Sequence, residues 1–133
     1  MTKQDVTQAA QEAFGFLVSE KGFVGPECDD QRFWTKLKYT NGNMGIEAEL
    51  DWHECWAFLL LVRLENGVWP KGYVGYFRDG KACRVHLGTL IRHCSWPVSF
   101  PRPGGAHPAS FQQMTTELRT DAEMLREVID RIL

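Results

Sequence analysis

The stretch Cys55-Trp56-Ala57-Phe58-Leu59-Leu60-Leu61-Val62-Arg63-Leu64 decides the fold. It is the most apolar run in the chain. It has the length of one strand and is too short to span a membrane. One parity carries Trp56, Phe58, Leu60, Val62 and Leu64; the other carries Ala57, Leu59, Leu61 and then Arg63. A half-buried strand alternates apolar and polar residues, whereas this one is apolar on both sides for most of its length. It reads as the central strand of a sheet, with the rest of the chain arranged around it.

Upstream, Arg32 to Tyr39 reads as a strand with Phe33, Leu37 and Tyr39 on one side and Trp34, Lys36 and Lys38 on the other. Thr40-Asn41-Gly42-Asn43 is a hairpin signal, because Asn-Gly accepts the positive φ angles of a type I′ turn. Met44 to Asp51 is the return strand, with Met44, Ile46, Ala48 and Leu50 facing in. A two-residue loop at Asn41-Gly42 sets Tyr39 opposite Met44, Leu37 opposite Ile46, and Lys36 opposite Glu47. The expected register with the central strand puts Leu50, Ala48 and Ile46 on the same side as Trp56, Phe58 and Leu60. Downstream, Tyr73 to Arg78 and Lys81 to Leu87 flank Asp79-Gly80, a second type I′ signal. That loop pairs Arg78 with Lys81, Phe77 with Ala82, Tyr76 with Cys83, Gly75 with Arg84, Val74 with Val85, and Tyr73 with His86.

The flanks read as helices. Val6, Ala9, Ala10, Ala13, Phe14 and Leu17 form a 3.6-period stripe from Lys3 to Glu20, with Thr2 as N-cap and Gly22 as the terminating glycine. Phe23-Val24 reads as a short edge strand and Gly25 to Gln31 as a polar loop. Gly88 to Cys94 reads as a helical turn or two. Residues 95–108 hold four of the six prolines and read as an extended loop. Its Trp96, Val98 and Phe100 are too apolar for a free linker, so it packs on the domain. Ser110-Phe-Gln-Gln113 opens a last helix bearing Phe111, Met114, Leu118, Leu125, Val128, Ile129 and Ile132, with a break expected near Thr120. The fold class is α+β: an N-terminal helix, a mostly antiparallel sheet of about five strands built from two type I′ hairpins, and a C-terminal helix. Residues 1–133 make a single domain.

Hydrophobic residues at 44% and charged residues at 24% are ordinary for a globular chain. A net charge of -2 gives no attraction to nucleic acid or to an anionic membrane, so neither is expected as a partner. The polar N-terminus begins a helical pattern rather than a signal peptide, so the expected location is cytoplasmic. Cys28, Cys55, Cys83 and Cys94 contain no C-x-x-C pair and are expected as free, mostly buried thiols.

The chemistry-bearing residues give no recognisable enzyme motif. His53 with Cys55 and His93 with Cys94 lack the spacing of structural zinc ligands, so no metal is expected. Cys83 and His86 are three apart on a strand and point to opposite faces, which rules out a dyad there. Glu47, Glu49 and Asp51 share one strand face and read as a solvated, Lys-paired stripe. Pro101-Arg102-Pro103 reads as part of a packed loop rather than a polyproline ligand. No phosphate-binding, dinucleotide-binding, nucleophile-elbow or H-E-x-x-H motif is present, and no cofactor or catalytic residue is expected. A pocket gathering Asp51, His53 and Glu54 is what a small hydrolase or transferase would require.

Four pieces occur together: Phe14-Gly15-Phe16-Leu17, Gly22-Phe23, Lys38-Tyr39-Thr40-Asn41 and Leu61-Val62-Arg63-Leu64. They resemble a loose group of small bacterial α+β hypothetical proteins. That group is similar in size and style to immunity proteins, which neutralise toxins by binding them. The resemblance spans about the first two thirds of the chain and leaves out the proline-rich loop and the last helix. Its motifs are structural and carry no functional residue across. It implies a non-enzymatic protein-binding domain. An oligomeric secretion chaperone also fits the size and fold type, although such chaperones usually carry more negative charge. The expected binding surface is the sheet face opposite the helices, with Trp34, Leu59, Leu61, Tyr73, Phe77, Arg84 and His86 facing another protein or a second copy; the alternatives are cover by Trp96, Val98 and Phe100 of the proline-rich loop, or one helix on each side of the sheet.

Overall fold

The computed structural model describes residues 1–70, 77–78, 81–98 and 110–133. Thr2 starts α1 (Lys3–Ala13) through a capping box. Its hydroxyl accepts the Asp5 N–H, and the Asp5 carboxylate accepts the Thr2 N–H at 2.8 Å. Those bonds hold the Asp5 carboxyl below its usual range. The single helix expected to Glu20 is in fact two, because the chain turns at Phe14-Gly15 before α2 (Phe16–Glu20). A continuous helix would set Phe16 about 200° around the axis from Phe14. The turn instead buries Phe14, Phe16 and Leu17 together. Gly22, with φ +76°, closes α2, and the Phe23 N–H reaches back to the Leu17 carbonyl at 3.0 Å.

Among the described residues seven strands and two more helices follow: β1 (Val24–Asp30), β2 (Trp34–Thr40), β3 (Met44–Asp51), β4 (Trp56–Arg63), β5 (Phe77–Arg78), β6 (Lys81–Ala82), β7 (Arg84–His86), α3 (Leu87–Cys94) and α4 (Phe111–Ile132). Five strands form an antiparallel sheet in the order β1-β2-β3-β4-β7. The segment expected as a polar loop from Gly25 is thus mostly an edge strand. It has no buried face and so shows no alternation in sequence. Its partners are supplied by β2, where Lys38 stands opposite Glu27 and Lys36 opposite Asp29. β5 and β6 pair separately, with Phe77 opposite Ala82 and Arg78 opposite Lys81, the register Asp79-Gly80 calls for. The rest of that expected pairing, from Tyr73 to Tyr76, lies outside the described residues. The second arm does not run on to Leu87 as one strand. It bends at Cys83, β7 joins β4, and Leu87 opens α3.

The two registers around β3 differ from expectation in instructive ways. Between β2 and β3, Tyr39 faces Ile46 and Leu37 faces Ala48, two residues away from the expected pairing. A two-residue slip preserves side-chain parity, so both faces keep their expected composition. Phe33 lies outside the strand and is 53% exposed rather than inward. Between β3 and β4 the slip is one residue: Leu50 faces Ala57, Ala48 faces Leu59 and Ile46 faces Leu61. The expected side of β4 is therefore inverted. The four residues Trp52 to Cys55 join Asp51 to its partner Trp56. The Asp51 carboxylate accepts the His53 and Glu54 N–H groups at 3.0 Å, and Cys55 takes φ +56°. This turn sets the parity.

α1 and α4 pack against each other on one face of the sheet. Beneath them lie Leu37, Tyr39, Ile46, Ala48, Leu50, Ala57, Leu59 and Leu61, joined by Val6, Ala10, Phe14, Leu17, Met114, Leu118, Leu125, Val128 and Ile129. Small residues, Ala48 and Ala57 on the sheet with Ala10 and Ala122 on the helices, allow the layers close approach. α4 runs unbroken through Thr120, whose hydroxyl bonds back to the Thr116 carbonyl at 3.1 Å. Trp96 and Val98 pack against the same core; Phe100 and most of the proline-rich loop lie outside the described residues.

Candidate functional site

The opposite, outer face of the sheet is built from rows of cross-strand neighbours. One row runs Asp29, Lys36, Glu49, Phe58. The next runs Glu27, Lys38, Glu47, Leu60, His86. At one end Trp34, Asp51 and Trp56 stand in line; at the other, Thr40, Gly45, Val62 and Arg84. On the β1 side the face is therefore an acid–base–acid pattern, and on the β4 side it is apolar and aromatic.

The two ends differ in exposure. At the β7 end, Glu47, Leu60 and Val62 are buried. The Trp69 ring occupies the space over Gly45, so close that a Cβ at position 45 would meet it at 2.3 Å. The Lys38 ammonium lies 5.4 Å from the Trp69 centroid. Arg84 Nε sits 3.8 Å from a carboxylate oxygen of Glu47, giving that buried acid a cation. At the other end Trp34, Lys36, Glu49, Asp51, Trp56 and Phe58 remain half-buried. Trp56 and Phe58 stack at 5.8 Å, Phe58 meets His86 at 5.5 Å, and the Lys36 ammonium lies 4.6 Å over Trp34. Burial pushes the Glu49 carboxyl above its usual range, with Lys36 pulling the other way.

Of the residues expected on the binding surface, Trp34, Arg84 and His86 do share this face. Leu59 and Leu61 do not. The one-residue slip places them under the helices, at 4% and 5% exposure. Tyr73 and the Phe77 side chain lie outside the described residues. Trp56 and Phe58, expected on the core side of the central strand, form the aromatic centre of the outer face. The signal for them was Asp51, whose capping chemistry specifies a four-residue turn and hence the opposite parity.

Asp51, His53 and Glu54 do not assemble as an acid–base group. Asp51 caps its own turn, and His53 packs edge-on against Phe33 at 5.9 Å. His53 and Glu54 are 3.8 Å apart, and both are well exposed. All four cysteines are free, but Cys28 and Cys94 are exposed rather than buried. Partial desolvation, with Asp30 and Asp29 nearby, raises the Cys28 thiol above its ordinary pKa. Pro101-Arg102-Pro103 lies outside the described residues. Among the described residues no three His, Cys, Asp or Glu side chains gather as a metal-binding group, and no helix is long and apolar enough to cross a membrane. No family model, curated protein or solved structure matches the chain.

Proposed function

We propose that the protein is a non-enzymatic binding domain of the toxin-immunity type, which uses the half-open end of its outer sheet face to hold another protein. The supporting observation is that α1 and α4 both lie on one face, while Trp34, Trp56 and Phe58 stay half-exposed on the other. A central aromatic cluster with charges around it has the composition of an interface core and rim. The partner is a different protein with a basic surface. Glu27, Asp29, Glu47, Glu49 and Asp51 outnumber Lys36, Lys38 and Arg84 on this face, so two copies brought face to face would repel.

The test is co-expression with the product of the adjacent gene, followed by gel filtration of wild type and of Trp56→Glu and Phe58→Glu. The expected result is a complex that both variants lose while keeping a wild-type melting curve. No complex, or one indifferent to both changes, would count against the reading.

A further inference from the structure

A second surface, which shares Glu27 and Asp29 with the rim of the aromatic face, lies along the outer edge of β1. The Gln31 N–H donates to the Trp34 carbonyl at 2.8 Å, which fixes the phase of the β1–β2 ladder. In an antiparallel pair, hydrogen-bonded and non-hydrogen-bonded positions alternate. Asp29 and Glu27, each two residues further back, therefore bond to β2, and the N–H and C=O of Cys28 and Asp30 point off the sheet. Both residues are exposed. The bulge and Pro26 interrupt the strand at its Val24 end, but the ladder is regular from Glu27 to Asp30. This leaves two residues presenting backbone donors and acceptors in strand geometry.

Beside that edge, between α1 and the helix side of β1, runs a groove of about 830 Å³. Its walls are Gln4, Gln8 and Gln11 from α1, and Cys28 and Asp30 from β1. Two cations at its end outnumber Asp30, so the acidic side of this edge is the outer one, with Glu27 and Asp29. The Lys3 ammonium donates to the Arg32 carbonyl at 2.9 Å, and the Arg32 guanidinium lies 5.0 Å over Phe33. The edge itself carries carboxylates on both sides: Glu27 and Asp29 on the outer face, Asp30 towards the groove.

We infer that this edge accepts an extended, basic segment of another protein as a sixth strand. Its backbone bonds to Cys28 and Asp30. Its basic side chains reach Glu27 and Asp29 on the outer face, and the alternate side chains lie over the groove. Strand addition takes affinity from main-chain bonds and selectivity from alternate side chains. Charge excludes a second copy. Two-fold pairing about Cys28 sets Glu27 of one copy against Asp29 of the other, twice; pairing about Asp29 sets that residue against itself. The same carboxylates that guard the edge against self-association attract lysine and arginine.

The probe is an eight-residue peptide alternating Lys and Val, blocked at both ends. Two controls accompany it: the Glu-Val peptide, and the Lys-Val peptide N-methylated throughout, which keeps the charge and loses every backbone donor. Binding is followed by fluorescence anisotropy, and amide exchange is read at Cys28 and Asp30. The Lys-Val peptide should bind and slow exchange at both amides, the Glu-Val peptide should not bind, and N-methylation should weaken binding at least about tenfold, the equivalent of about 1.4 kcal/mol. Cys28→Pro removes an outward N–H, a change that edge strands tolerate, and should weaken binding by a similar factor. If that variant misfolds, the N-methylated peptide on wild type decides. Equal binding of the N-methylated and parent peptides, unprotected amides at Cys28 and Asp30, or no binding at all would overturn the inference. Phe58→Glu leaves this edge intact, so the edge and the aromatic patch fail independently.

Discussion

Phe58 and Leu59 are neighbours in the most apolar stretch of the chain, and they live on opposite faces of β4. Leu59 stands between Ala48 and the helix layer and is 4% exposed. Phe58 stands between Glu49 and the half-open outer face, stacked on Trp56. Bulk alone assigns the parity Trp56, Phe58, Leu60 to the core. The structure does the reverse, because the four-residue turn capped by Asp51 puts the other parity under the helices. Ala57 and Ala48 then join Leu59 in the core, and the Trp56 and Phe58 rings stack on the opposite face. The lesson is that side-chain size does not identify the core side of a strand that is apolar on both sides.

The contrast extends along β2, and neighbouring residues expose it. The largest effect is expected on β2. Leu37, fully buried, should lose about 2–5 kcal/mol on truncation to Ala, while Lys36→Ala on the outer face should cost less than about 1 kcal/mol. Urea denaturation of the two variants measures this directly. If both lose similar stability, the outer face is a second core rather than a surface.

An intermediate effect is expected at the closed end of the outer face, where Arg84 accompanies the buried Glu47 carboxylate at 3.8 Å. Arg84→Met keeps the apolar stem and removes the charge. It should destabilise by about 1–3 kcal/mol, since the buried acid loses its cation. A neutral result would show that Glu47 is solvated in solution and that this end is open as well.

The smallest effect belongs to Glu49 at the half-open end. Burial raises its carboxyl, against the pull of Lys36. A carboxyl whose folded pKa lies above its unfolded value binds more protons when folded. Its ionisation therefore opposes folding, and stability falls as pH rises from the unfolded value through the raised folded one. Glu49→Gln should accordingly be slightly more stable than wild type at neutral pH, and the gap should close below about pH 4. Melting curves of both proteins across that range check it. A variant less stable at neutral pH would mean that the Lys36 attraction outweighs desolvation.

Much of this architecture is legible in the chain. The 3.6-period stripes give α1 and α4, Thr2 and Ser110 give their first turns, and the alternation Thr35-Lys36-Leu37-Lys38-Tyr39 gives the two sides of β2. Two kinds of information are not legible. β1 is invisible because its strand character comes from its neighbour's lysines rather than from its own residues. Turn geometry is ambiguous at the dipeptide level. Asn66-Gly67 forms a type I′ turn, with φ +51° and +78° and mutual hydrogen bonds between Glu65 and Val68. Asn41-Gly42 does not. There the Asn41 side-chain oxygen accepts the N–H groups of Asn43 and Met44 at 3.0 and 2.9 Å, and the tip moves to Gly42-Asn43. Asn41 competes with the backbone for its own turn, and the register shifts by two residues as a result. The outer-face site inherits both difficulties. Trp34, Arg84 and His86 were reachable by parity within one strand or hairpin, whereas Trp56 and Phe58 depended on a turn that Asp51 decides.

The two faces of β4 meet in one measurement: thermal unfolding of Phe58→Asp and Leu59→Asp, followed by circular dichroism in the same buffer. A carboxylate at position 59 sits under the helices without a partner, so Leu59→Asp should show no cooperative transition. A carboxylate at position 58 reaches water through the half-open face, so Phe58→Asp should melt cooperatively within a few degrees of wild type. Loss of the transition in Phe58→Asp, with Leu59→Asp still folded, would contradict the assignment of the faces and with it the proposed binding surface.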